Sequence, residues 1–317
     1  MSEIILETRN LSKLYNGLPA LANVNITINK GDIYGFVGKN GAGKTTFMRV
    51  ISGLISPSGG DFTLMGVSNS NTKLINRNRG KISSIIEGPA LFLNMTAMDN
   101  MKQQSILTNS SANLSELLDM VDLRDVGNKK AKDFSLGMKQ RLGIAMSLVS
   151  QPEFMLLDEP TNGLDPEGIQ HIRTLLKRLN TELGITIMIS SHILTELSLI
   201  ATRYGFIHRG RLINEISTED IAAKAKSRME LTVTDVGKAL IVLKLMDVDC
   251  VISNGKLNIK NDSDIAEIAI KLKESDIQIL KVETVSFDLE RYFVEVLKGE
   301  HGVTNNKPAN PFMGGSV

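Results

Sequence analysis

Along residues 1–35 apolar and polar positions alternate as they do in antiparallel strands with one face on a core. The runs are Ile4-Ile5-Leu6-Glu7-Thr8 and Val24-Asn25-Ile26-Thr27-Ile28, with Gly- and Pro-containing turns between them. Residues 33–37 (Ile-Tyr-Gly-Phe-Val) form a short, mostly apolar run. It leads through a Gly-rich loop into a helix predicted from Thr45 to about Ser52. From about 94 to 149 the pattern turns helical. Residues 154–158 and 185–190 are continuous apolar runs of the kind expected of buried strands, each followed by polar or helical sequence. That alternation predicts βα units on a mainly parallel sheet.

Residues 206–213 predict a hairpin turning at Gly210, with a helix over Ser217–Lys226 behind it. The order then changes to strand 229–234, helix 235–246 and strand 249–253, a turn at Ser253-Asn254-Gly255, strand 256–260, helix 263–275 and strand 277–285. This βαββαβ order is the split βαβ arrangement of ferredoxin-like modules. A last helix, about 287–298, carries Leu289, Phe293, Val296 and Leu297 at one-face spacing, and 300–317 reads as a mobile tail.

Composition narrows the picture. Lys plus Arg number 36 against 35 Asp plus Glu, so nothing global points to nucleic acid or an anionic membrane as partner. The single Cys250 excludes an internal disulfide framework and suits a reducing cytosol. The N-terminus has no basic region followed by an apolar stretch, and no window approaches the run needed to span a bilayer. A role at a membrane then requires another chain to cross it.

Gly38-Lys39-Asn40-Gly41-Ala42-Gly43-Lys44-Thr45 fits the phosphate-loop pattern G-x-x-x-x-G-K-[ST]. The glycines Gly38, Gly41 and Gly43 allow backbone N–H groups to point inward around phosphate oxygens. Asn40 and Thr46 flank that nest, and the following helix N-terminus adds partial positive charge. Lys44 supplies a cation to the β- and γ-phosphates, and the Thr45 hydroxyl is a candidate Mg²⁺ ligand. The run Phe154-Met155-Leu156-Leu157 ends in Asp158-Glu159, which places two carboxylates at the ligand-binding edge of an open α/β sheet. Asp158 is placed to hold Mg²⁺ through its water shell, and Glu159 to accept a proton from an attacking water. Alone, such a pair can be a solvated strand end; beside a phosphate loop it indicates a P-loop NTPase.

Three further stretches narrow the family. Phe134-Ser135-Leu136-Gly137-Met138-Lys139-Gln140-Arg141 resembles the LSGGQ motif of ATP-binding-cassette (ABC) proteins, with Leu136 in place of a glycine and Met138-Lys139 after Gly137. Gly163-Leu164-Asp165 resembles the D-loop, and His192, after the strand-end Ser190-Ser191, resembles the switch histidine. Tyr15 stands where the family's adenine-stacking aromatic is expected. By itself His192 would be an ordinary surface residue; in this order the elements agree. The resemblance covers about residues 1–222 and implies an ABC ATPase nucleotide-binding domain with a helical subdomain over about 88–150. The fold class expected is therefore α/β, a P-loop core with an antiparallel N-terminal β-subdomain, plus the βαββαβ module at 229–298.

The resemblance further implies ATP and Mg²⁺ as ligands. It implies a head-to-tail dimer in which Ser135, Gly137 and Asp165 complete the partner's site, and His192 bridges the γ-phosphate and the opposing Asp165. A separate permease would hold the chain at the inner face of the cell membrane. The family's lid loop usually carries a Gln that binds Mg²⁺ and senses the γ-phosphate; this chain reads Ile85-Ile86-Glu87-Gly88-Pro89. Glu87, the variant Ser-Leu-Gly-Met-Lys-Gln and the close Leu289-Glu290-Arg291-Tyr292-Phe293 resemble the subgroup of exporters for bacitracin and for lantibiotic self-protection. Glu87 thereby becomes a candidate metal ligand and catalytic residue, the alternative being a plain surface acid. The apolar Leu91, Phe92, Leu93 and Met95 suit either a permease groove or packing inside the helical subdomain. Three alternatives stay open: export of another substrate, a soluble ABC protein of translation or DNA repair, and a purely regulatory role for 229–298.

Overall fold

A computed structural model of the chain describes residues 3–224, 228–253, 255–260 and 264–285. The predicted helix at 287–298, the Leu289–Phe293 stretch and the 300–317 tail lie outside the described residues. The chain divides into two compact units, one running to Ile216 and the other beginning at Ser217.

In the first unit, strands β1 (Ile4–Tyr15), β2 (Leu18–Val24), β3 (Thr27–Asn29) and β4 (Ile33–Val37) precede helix α1 (Lys44–Ser52). Then come β5 (Gly59–Leu64), β6 (Val67–Ser68), α2 (Thr72–Arg79) and β7 (Ile82–Ile85). The helical stretch resolves into α3 (Ala97–Thr108), α4 (Leu114–Met120) and α5 (Leu136–Leu148). The unit closes with β8 (Phe154–Asp158), α6 (Pro166–Leu183), β9 (Thr186–Ser191), α7 (Leu194–Leu197), β10 (Arg203–His208) and β11 (Arg211–Ser217).

β1 is the spine of one sheet and pairs antiparallel with β2, β3 and β5, while β5 pairs antiparallel with β6. The second sheet has the order β11-β10-β4-β9-β8-β7, and its four pairings from β10 to β7 are all parallel. Every residue of β4, β8 and β9 is buried. That is why these strands read as unbroken apolar runs rather than as alternation. Phe36 on β4 packs on Phe47 of α1 with ring centroids 5.2 Å apart, in a core that also holds Phe62 and Phe154. The helix that follows the phosphate loop is thus seated by its aromatic residue on the central strand.

Helix starts have local causes. Thr96, Asn113, Ser135 and Asp165 accept hydrogen bonds from the backbone N–H groups of Asp99, Glu116, Met138 and Gly168, capping α3, α4, α5 and α6. Asn109, at φ 48°, ends α3 in the left-handed region.

In the second unit, α8 (Thr218–Lys224), β12 (Arg228–Val233), α9 (Val236–Leu245), β13 (Cys250–Ser253), β14 (Lys256–Lys260), α10 (Ile265–Glu274) and β15 (Ile279–Val285) follow in order. The sheet order is β13-β14-β12-β15, with every neighbouring pair antiparallel. Alternate strand residues Leu231, Leu257 and Ile259 meet Leu243 of α9 and Ile268 and Leu272 of α10 in a separate core.

Candidate active site

The C-terminal ends of β4, β8 and β9 lie side by side, so the segments leaving them converge. Residues 38–43 connect β4 to α1, with Gly41 at φ 78° and Gly43 at φ 110°, conformations that glycine adopts without penalty. Gly43 is the residue before α1, so the helix begins at Lys44, one residue earlier than the sequence predicts. Gly38 is packed too tightly for any side chain: a Cβ there would sit 2.5 Å from the Ile207 backbone oxygen.

Lys44 folds back into the loop. Its Nζ donates to the Gly38 carbonyl at 2.6 Å and lies 3.1 Å from Glu159 Oε1, with the side chain almost wholly buried. Asp158, at the end of β8, uses both oxygens. Oδ2 accepts from Thr45 Oγ1 at 2.7 Å, and Oδ1 accepts from Ser190 Oγ at 2.5 Å. Ser190 Oγ in turn accepts from the Glu159 N–H at 2.9 Å. Glu159 sits at φ 49°, an uncommon conformation for a non-glycine residue and one associated with functional positions. Its Oε2 meets His192 Nδ1 at 2.8 Å. Its Oε1 is buried with no hydrogen-bond partner of good geometry, so the Lys44 contact there acts through charge. A cleft of 210 Å³ opens beside these groups, lined by residues 40–46, Ala20 and Glu159.

The structure therefore joins Lys44, Thr45, Asp158, Glu159 and His192 in one chain of contacts. The hydroxyl and carboxylate oxygens of Thr45 and Asp158 are the hard donors that Mg²⁺ prefers, and that ion takes few carboxylates. Among the described residues no group of three His, Cys, Asp or Glu gathers as a metal site.

The other expected residues stand elsewhere. Glu87, at φ 63°, places Oε1 2.6 Å from Nη2 of Arg49, in the last turn of α1. Tyr15 ends β1 and is 43% exposed, with the Lys13 ammonium 5.5 Å from its ring centre. Ser135, Gly137 and Asp165 line a second cleft of 410 Å³ together with Arg141 and His171. Ser190 and Arg49 escaped the sequence reading. A polar pair closing an apolar strand, with Ser190 two residues before a singled-out histidine, was the available signal for Ser190.

Comparison with known proteins agrees with this geometry. Residues 21–162 match the family described as ABC transporter. The bacitracin transport ATP-binding protein BcrA of Bacillus licheniformis is 38% identical over 303 residues, covering 93% of this chain and 98% of that protein. This chain belongs to the ABC transporter ATP-binding proteins. The lantibiotic transport ATP-binding protein SrtF of Streptococcus pyogenes is 46% identical over 212 residues, covering 67% of this chain and 90% of SrtF. The dimeric post-hydrolysis structure of the ATP-binding cassette MJ0796, bound to ADP and Pi, superposes with a TM-score of 0.60 at 27% identity, covering 67% of this chain and 98% of the cassette.

As an ABC ATPase subunit, the chain binds and hydrolyses ATP to drive a transporter. Among the described residues no helix is long and apolar enough to cross a membrane.

Proposed function

We propose that this ABC ATPase subunit powers export of an antimicrobial peptide of the bacitracin or lantibiotic kind, with Glu159 as the general base. The contact chain Lys44–Glu159–His192, set beside Thr45–Asp158, is the observation that carries the catalytic part. A glutamate carboxylate at the edge of a phosphate-sized cleft can take a proton from the attacking water, and His192 orients it from the far oxygen. Lys44 leaves its carbonyl and carboxylate partners for the β- and γ-phosphates, while Gly38, Asn40, Gly41, Gly43 and Thr46 supply the surrounding nest. Thr45 and Asp158 would hold Mg²⁺, which when bound neutralises charge on the phosphate oxygens.

In this reading two copies close head to tail. Ser135 and Gly137 of one face the nucleotide of the other, Asp165 meets the opposing His192, and Tyr15 stacks on adenine. Closure requires ATP and hydrolysis releases it, a two-state element biased by ligand. A separate permease holds the pair at the inner face of the membrane and receives the stroke through the Glu87 loop. Glu87 would exchange its Arg49 contact for Mg²⁺ as the site closes, its carboxylate drawn to the metal and repelled by the γ-phosphate. The second unit is a ferredoxin-like module, supported by its βαββαβ order and β13-β14-β12-β15 sheet, and serves regulation or dimer stability.

Peptide export rests on the similarity to BcrA and SrtF along with Glu87. It is tested in cells carrying the whole transporter and challenged with bacitracin and a lantibiotic. Wild-type chain should confer resistance to one of them, and Glu87→Gln and Glu87→Ala should weaken it. Identical resistance with and without the chain would refute the peptide assignment.

A further inference from the structure

The segment between β8 and α6 carries Glu159 at its start and Asp165 at its end. Two side-chain hydrogen bonds tie it to the segment that follows β9. One is His192 Nδ1 to Glu159 Oε2 at 2.8 Å. The other joins Thr161 Oγ1, as donor, to Glu196 Oε2 at 2.5 Å, across 35 residues of chain. Thr161 is 8% exposed. Its carbonyl accepts from the Leu164 N–H at 3.2 Å, so the hydroxyl tie and the turn toward Asp165 share one residue. Glu196 projects from α7, whose Leu194 and Leu197 are buried and hold the helix to the core.

We infer that Glu196 is a positioning residue for hydrolysis: by holding Thr161 it keeps Glu159 in line with His192 and fixes the turn that presents Asp165. The inference rests on the reading of Glu159 as general base. Glu159 occupies a left-handed backbone conformation that its own side chain does not favour, and such conformations persist only where surrounding contacts over-determine them. The Ser190 bond to the Glu159 N–H fixes one side of the residue, and the Thr161–Glu196 bond fixes the chain two residues on. Without the second tie the turn can relax while His192 and Ser190 remain. The base is then present but misaimed, and misplacement by about 1 Å can cost on the order of a hundredfold in rate.

The test uses the full chain and measures steady-state ATP hydrolysis, nucleotide affinity and melting temperature together. Thr161→Val and Glu196→Ala are expected to lower kcat about tenfold or more while KM and nucleotide affinity stay within about twofold. Thr161→Ser and Glu196→Gln keep a donor and an acceptor and should retain most of the rate. The double variant Thr161→Val/Glu196→Ala should be no slower than either single one, because both remove the same bond. Unchanged kcat in the two disruptive variants, additive losses, or equal loss in Thr161→Ser and Thr161→Val would each overturn the inference. Loss of melting temperature without the selective fall in kcat would also overturn it, since a purely structural tie behaves that way. Normal turnover in Glu159→Gln, run in parallel, would instead refute the general-base reading.

Discussion

Replacing Lys44 by alanine changes two terms at once. The side chain is 6% exposed and its Nζ lies 3.1 Å from Glu159 Oε1. Truncation removes the cation that a terminal phosphate would meet, and it leaves the Glu159 carboxylate uncompensated beside that phosphate. A hydrogen bond to a charged group contributes about 1.5–3 kcal/mol. Two like charges about 4 Å apart repel by about 4 kcal/mol at an effective dielectric constant of ~20. Solvent reaches Glu159, which is 21% exposed, so about half of that repulsion is retained. The sum, about 3.5–5 kcal/mol, corresponds to roughly three orders of magnitude in ATP affinity. Titration of the full chain with a fluorescent ATP analogue at fixed ionic strength and saturating Mg²⁺ measures it, with thermal melting to confirm folding. Adding Glu159→Gln to Lys44→Ala should recover the repulsive part, about 2 kcal/mol or roughly thirtyfold in Kd. A Lys44→Ala protein that binds within about tenfold of wild type, or a double variant that binds no better than the single, would refute the reasoning.

Other consequences are more local. Gly38→Ala forces a Cβ to within 2.5 Å of the Ile207 carbonyl oxygen, a backbone atom that cannot step aside. It should cost about 1–3 kcal/mol of stability and weaken ATP binding. Gly59→Ala, whose Cβ would meet only Ser12 at 3.9 Å, should be near neutral in the same denaturation assay. In the second unit, hydrogen bonds from Lys281 and Lys256 hold the Glu283 carboxyl down at about 2. A folded-state value below the ordinary carboxylate range means stability that is present above that range and lost as pH falls through about 2. Glu283→Gln should therefore reduce the acid sensitivity of this unit, read as melting temperature against pH between about 5 and 2, and leave its stability at pH 7 less affected by further acidification. A Glu283→Gln protein with an unchanged acid limb would contradict this.

The parts of the fold that were legible are those governed by one dominant constraint. β4 and β8 coincide with the predicted runs 33–37 and 154–158, because a strand buried on both faces admits few polar residues and announces its ends. The phosphate loop was legible because its backbone demands glycine at positions such as Gly41 and Gly43. The helical region 94–149 showed its type but not its divisions, which depend on the left-handed Asn109 and the Asn113 cap. The sequence reading placed Asp158 and Glu159 at the strand end, yet not the Ser190 hydroxyl between them. That bridge joins residues 32 apart and follows from the pairing of β8 with β9. Arg49 was invisible for the same reason: its partner Glu87 lies 38 residues on, and no local period links them. The contacts that aim functional groups are tertiary, while the groups themselves follow local patterns.

Turnover and ATP-dependent association of the Glu159→Gln protein test the central claim most directly. An amide can orient a water molecule and cannot take its proton, so hydrolysis should fall by about a hundredfold or more. ATP binding should persist, and light scattering should show the protein shifting from monomer to dimer when ATP is added. Hydrolysis at the wild-type rate, or a protein that keeps ATP bound and stays monomeric, would contradict the account.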